Sequence, residues 1–256
     1  MKLAYVITLP EHGGAQAHVR GLLAEARQRA EVNEVTLITS SVGWLTKEAE
    51  GLGVPVVIVP DLVQPLVPGR DLSAVRQLYK VLRRLRPDLV HLHSSKAGLL
   101  GRFAAKLAGV PAVFTAHGWA FADGVSPKRR LLAALSERLA APLAARIIAV
   151  SEYDTALARR FGVGRPGQIV TIHNGIPDSP TVAYSPGHSW RCRVIMTARF
   201  APQKDQATLI RAVARVPEVE LTLIGGGEGL HVAQSLALNL GVRDRVHFLG
   251  TRSDVP

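Results

Sequence analysis

Short apolar runs alternate along the chain with longer stretches in which apolar positions recur every three or four residues. This alternation predicts parallel strands joined by helices, an α/β class. The runs are Leu3–Thr8, Val35–Thr39, Val54–Val59, Leu89–Leu92, Pro111–Ala116, Arg146–Val150 and Ile169–Ile172, then Val194–Thr197, Leu221–Ile224 and Arg245–Leu249. Between them, helical spacing is expected from the Gly13–Gly14 turn to about Ala30, and from about Leu72 to Arg86, where Pro87 stops it. The proline-bounded stretch 60–69 reads as a loop. The segment 176–189 has neither period and contains Pro177, Pro180 and Pro186, so it reads as a linker. The expected organisation is a doubly wound domain over 1–180, a linker at 181–190 and a partial second domain over 191–256.

Polar and glycine-rich clusters sit at the carboxyl ends of these strands: Gly13 with Gly14, the run His93, Ser94, Ser95 and Lys96, then His117 with Gly118 and Trp119, and Ser151 with Glu152. In the second half Arg199 and Lys204 follow one strand, Gly225, Gly226, Gly227 and Glu228 the next, and Gly250, Thr251 and Arg252 the last. Open parallel sheets bind ligands at that end of the strands. Arg clamps a phosphate bidentately, Lys acts as a point charge, and glycines let backbone N–H groups and a helix N-terminus approach an anion. The expected ligand bears a diphosphate and lies in a cleft between two lobes.

Composition narrows the partners. The chain has 256 residues, 47% of them hydrophobic, and a formal net charge of +11. That charge favours anionic partners. Aromatic residues make up only 5% and no basic run is interleaved with them, so nucleic acid is not expected as a partner. The single cysteine, Cys192, fits a reducing compartment and is expected to pack in a core. The first apolar run is too short for a signal peptide, and no segment is apolar enough to span a bilayer. The expected location is cytoplasmic, with peripheral contact at the inner face of the membrane a candidate because Lys128–Arg146 is basic and amphipathic. His91 and His93 share a strand face, but no third ligand stands at metal spacing in the sequence, so no metal site is expected. Ser151 and Asp154 form a capping box, which explains them structurally.

Two nucleotide-binding signatures are absent. The first loop, EHGGAQAH, lacks G-x-G-x-x-G, and no G-x-x-x-x-G-K-[ST] run occurs. What the chain does resemble, over its whole length, is the retaining glycosyltransferases of family 4. The matching segments are the early GGA turn, RPDLVHLHSSKAG, TAHGW, IIAVSE, IHNGI, ARFAPQKD, IGGGE and VHFLG, in that order.

The resemblance implies a GT-B fold of two Rossmann-like lobes facing a cleft. It implies transfer of a sugar from a nucleotide-diphosphate donor to an acceptor hydroxyl with retention, generally without a bound metal or other cofactor. The acceptor class it suggests is a cell-envelope polysaccharide or lipid-linked glycan. By the same resemblance Arg199 and Lys204 serve the donor diphosphate, and His117 contacts the donor sugar near the reacting carbon. Gly13 and Gly14 approach the phosphates or sugar, and Gly225–Glu228 with Gly250–Arg252 border the nucleoside. Ser94, Ser95, Lys96 and Trp119 are candidates for the acceptor side. The family's second lobe continues with two glutamates separated by seven residues, whereas the sequence ends at Asp254, Val255 and Pro256. A truncated second lobe with an exposed apolar sheet edge and impaired transfer is therefore expected. Two other functions share parts of this pattern, a nucleotide-sugar 2-epimerase and a non-enzymatic nucleotide-sugar-binding remnant or partner subunit.

Overall fold

The computed structural model describes residues 1–122, 125–176 and 192–252. The chain divides into two compact units, Met1–Ser179 and Pro180–Pro256. The whole of the linker expected at 181–190 lies outside the described residues, as do residues 253–256.

The first unit runs β1 (Lys2–Ile7), α1 (Gly14–Gln28), β2 (Glu34–Thr39), α2 (Trp44–Gly51), β3 (Val56–Ile58), α3 (Pro68–Leu85), β4 (Leu89–His93), α4 (Ser95–Ala108), β5 (Ala112–Ala116), α5 (Pro127–Ala140), β6 (Arg146–Ala149), α6 (Glu152–Arg160) and β7 (Ile169–Thr171). Its sheet is parallel throughout, in the order β3-β2-β1-β4-β5-β6-β7. The direction of strand order reverses between β1 and β4, and a crevice opens at such a switch point beyond the carboxyl ends of the strands. Helices cover both faces, so the central strands are apolar on both sides: Ala4–Ile7 of β1 are all buried. One face packs around Leu78, Leu82, Leu92 and Phe114, the other around Leu23, Leu37 and Leu45.

Local chemistry sets the boundaries. In α3 the residues Ala74, Leu78 and Leu82, four apart, form the inward stripe. Pro68 occupies the first turn, where a missing N–H costs nothing, so the helix begins inside the stretch that the sequence reads as loop. Arg86 ends it in the left-handed region at φ 48°. The basic stretch from Lys128 is not one helix. It ends at Ala140, passes through a 3-10 turn containing Pro142, and Arg146 already belongs to β6. Between α4 and α5 a fully buried Arg102 donates to Glu137 at 2.7 Å. The expected cap of α6 is present, with the Asp154 N–H donating to Ser151 Oγ at 3.0 Å.

The second unit contains β8 (Cys192–Thr197), a short 3-10 turn at Pro202–Lys204, α7 (Gln206–Arg215), β9 (Val219–Ile224), α8 (Leu230–Asn239) and β10 (Val246–Gly250). Its parallel sheet has the order β10-β9-β8 around a core of Ile210, Leu221, Leu223 and Val246. The expected core position of Cys192 is not observed: it lies exposed at the start of the edge strand β8. Ile195 of β8 is 65% exposed and Leu249 of β10 is 48% exposed. No helix among the described residues is long and apolar enough to cross a membrane.

Candidate functional site

In the first unit, four histidines gather at and below the carboxyl ends of β4 and β5. His91 and His93 alternate onto one face of β4, their ring centroids 4.2 Å apart, and Tyr5 of β1 lies beside both rings. His117 follows β5, and its Nε2 sits 3.1 Å from His93 Nδ1. His18 arrives from the first turns of α1 and packs edge-on against His117 at 5.1 Å. Because β1 feeds α1 beside β4, residues 75 apart in sequence meet at the switch point. His91 is held by Thr115 Oγ1 at 2.7 Å, and Thr8 pairs with Ser94 Oγ at 2.7 Å across the same strands. Ser94 adopts φ 70°, a region that a non-glycine residue enters at some cost.

This cluster is neutral near pH 7. Burial holds His93 well below the ordinary imidazole value, with repulsion from the neighbouring rings adding to it. Burial likewise lowers His91 and His117 to about 4, again helped by neighbouring rings. His18 is also lowered by burial. A neutral imidazole offers one donor and one acceptor, a suitable partner for hydroxyl groups. The N-terminus of α1 opens beside it with no side-chain cap on Gly13, and no protein atom stands within 4 Å of where a Cβ on Gly14 would be.

In the second unit, three loops lock together at the carboxyl ends of β8, β9 and β10. The Phe200 N–H donates to Gly226 O at 2.8 Å, Gly229 N–H to Phe200 O at 3.2 Å, and Gly225 N–H to Gly250 O at 2.8 Å. Gln206 Nε2 donates to Arg199 O at 3.1 Å. Gly225 and Gly227 have φ of 142° and 134°, and a Cβ would stand 2.1 Å from Ala198 O and 2.6 Å from Phe200 O respectively. Their glycine character is thus required by the contact between loops. Arg199, Lys204 and Glu228 remain exposed around this frame, as do Thr251 and Arg252. Gly225→Ala is expected to destabilise the second unit by about 3 kcal/mol or more, since backbone strain and overlap with Ala198 O add. Hydrogen exchange of the β8–β10 amides measures it, with unchanged protection the contrary result.

A model of the glycosyl transferase 4-like domain matches residues 13–175, which covers most of the chain. The chain belongs to this family. Residues 191–256 match the model of glycosyl transferases group 1. Among curated relatives, the chain is 28% identical over 275 residues to the Escherichia coli UDP-Gal:alpha-D-GlcNAc-diphosphoundecaprenol alpha-1,3-galactosyltransferase, covering 100% of this chain and 70% of that protein. It is 24% identical to the Escherichia coli O-antigen biosynthesis glycosyltransferase WbnH, covering 97% and 69%. Among solved structures, Anabaena Alr3699/HepE in complex with UDP and glucose superposes with a TM-score of 0.80 at 23% identity, covering 99% of this chain and 70% of that one. The protein is thus a glycosyltransferase-class enzyme with a GT-B type fold.

Two of the acceptor-side candidates have buried, engaged side chains. Trp119 is buried at 5%, stacks on Phe121 and donates its indole N–H to Asp154 O at 2.8 Å, so it is a core residue that anchors α6. Lys96 is buried as well, paired with Asp71 at 2.5 Å and bonded to Pro65 O, which commits it to the start of α3 and the loop before it. Ser95 stays exposed at the first turn of α4, whereas the Ser94 hydroxyl is engaged by Thr8. His117 is where the sequence places it, but its partners His93 and His18 are a finding of the structure. The sequence signal for His18 was its position one turn after Gly14. Sequence spacing shows no third ligand, but the fold brings one: one ring nitrogen each from His18, His93 and His117 lies within 4.8 Å of the other two.

Proposed function

We propose that this glycosyltransferase moves a sugar, with retention, from a nucleoside-diphosphate donor to an acceptor hydroxyl on a cell-envelope polysaccharide or lipid-linked glycan. The observation that carries the reading is the frame of three interlocked strand-end loops from which Arg199 and Lys204 project. These two cations neutralise the departing diphosphate without a metal or other cofactor, and the exposed backbone of Gly225–Glu228 and Gly250–Arg252 borders the nucleoside. In the first unit, the neutral His117 and the uncapped start of α1 at Gly13–Gly14 receive the sugar. The acceptor oxygen attacks from the face the diphosphate leaves, which retains the anomeric configuration. The UDP carried by the HepE structure and the donor and lipid-diphosphate acceptor in the galactosyltransferase's name support this choice. Calorimetry with UDP, GDP and ADP, followed by transfer assays with the matching sugar donors and NMR of the product anomer, tests it. Binding of one diphosphate and an α-linked product from an α-donor are expected. An inverted product, or a 2-epimer formed without acceptor, contradicts it.

The same protein is proposed to work at the cytoplasmic face of an anionic membrane, touching it through α5. Leu131, Leu132, Leu135 and Leu139 are 68%, 67%, 48% and 68% exposed on this helix, flanked by the exposed Lys128, Arg129 and Arg138. An apolar stripe edged with cations suits an anionic interface. Flotation with phosphatidylglycerol vesicles is expected to carry the protein up, and Leu131→Glu with Leu135→Glu to abolish this. Equal behaviour on phosphatidylcholine vesicles contradicts it.

A further inference from the structure

The His18, His93 and His117 cluster has a capacity beyond the sugar contact proposed for His117. We propose that these three residues form a binding site for a divalent transition cation of the Zn2+ class, placed so that an occupied site blocks His117.

Geometry supplies the first support. Zinc–nitrogen bonds of about 2.0–2.1 Å set two ligand nitrogens of a tetrahedral ion about 3.3 Å apart. His93 Nδ1 and His117 Nε2 already stand at 3.1 Å, so a cation can take the place of the single hydrogen the two rings share. The His18 ring lies 5.9 Å from His93 and 5.1 Å from His117 by centroids, and its nitrogen needs to close by at most roughly 1.5 Å from the 4.8 Å limit to reach bonding separation. It is half-exposed on a helix face, where a rotamer change costs little.

The second support is burial. His93 is 0% exposed, and its Nδ1 faces another imidazole nitrogen, so the pair that would grip the ion is shielded from competing water. Tyr5, stacked on His93 at 6.1 Å, walls the site from β1. His18 and His117 are partly exposed, which leaves the fourth coordination position open to water. Three neutral imidazoles suit Zn2+, Ni2+, Co2+ and Cu2+ and suit Mg2+ or Ca2+ poorly, because the latter prefer oxygen ligands.

The direct test is metal binding to the untagged chain at pH 7.5. Calorimetry with Zn2+ is expected to show one equivalent with a Kd on the order of 1 μM, and Co2+ to give the strong visible absorption of a tetrahedral nitrogen site. Mg2+ is expected to give neither. His18→Ala and His117→Ala should each weaken Zn2+ binding by at least about tenfold, while His231→Ala, at an exposed position on α8, should not. Because His18 is half-exposed on α1, His18→Ala is expected to keep the wild-type circular dichroism spectrum even if another variant does not fold. Zinc affinity unchanged in folded His18→Ala, or no binding up to millimolar Zn2+, overturns the proposal. A second arm rests on the proposed donor contact of His117: Zn2+ should lower donor turnover and Mg2+ should not. Zinc binding without inhibition would reject that blocking role and the His117 donor contact, and would leave the cation site standing.

Discussion

Arg199→Ala and Lys204→Ala are each expected to lower the transfer rate by about two to three orders of magnitude, the cost of removing one fixed donor aimed at developing charge. Both side chains are exposed at the rim of the second unit. Their removal should therefore change folding stability by no more than about 0.5 kcal/mol. The frame that positions them is built from backbone contacts, the Phe200 N–H to Gly226 O bond at 2.8 Å among them, and survives either truncation. Charge that matters more as the diphosphate leaves should appear in kcat more than in KM. Arg199→Lys keeps the charge but loses the bidentate fork and should recover only part of the rate. Steady-state kinetics with thermal melts of each variant checks this. Wild-type rates in both alanine variants would contradict it.

The second large effect concerns acid. His91, His93 and His117 are held neutral in the folded state, the first and last at about 4, whereas an unfolded chain titrates its histidines near 6.5. Below about pH 6.5 the unfolded state therefore binds more protons than the native state. Stability is fully present above that value and is lost as the pH falls through it toward about 4. Each such ring contributes up to ~1.4 kcal/mol per pH unit, so a loss on the order of 4 kcal/mol between pH 7 and pH 5 is expected for the first unit. His18, half-exposed, adds little. Urea unfolding at a series of pH values measures the slope, and His117→Gln should make it shallower. A flat profile from pH 7 to pH 5 would contradict it.

Much of this architecture was legible because parallel strands buried on both faces leave continuous apolar runs. Leu221–Ile224 and Arg146–Val150 fall within a residue or two of β9 and β6. Strand-end chemistry was legible for the same reason, since Arg199, Lys204 and His117 follow recognisable strands. The misreadings come from distant partners. Lys96 looks like a free cation at a helix start, and only Asp71, on the preceding helix, shows why it is buried. Trp119 reads as a site aromatic until Asp154 O accepts its N–H. Cys192 looks like core because the local pattern cannot say that β8 lies at a sheet edge. Gly225 and Gly227 fit an anion loop, yet the carbonyls of Ala198 and Phe200 already exclude a side chain there. His18 joins His93 and His117 only through the β1-β4 neighbourhood, which no local spacing encodes.

A crystal structure of the protein with a bound nucleoside diphosphate tests the central claim most directly. We expect the pyrophosphate oxygens within hydrogen-bonding distance of the Arg199 guanidinium and the Lys204 ammonium, beside the Gly225–Gly227 backbone. A diphosphate bound with both side chains turned away from it would contradict that claim.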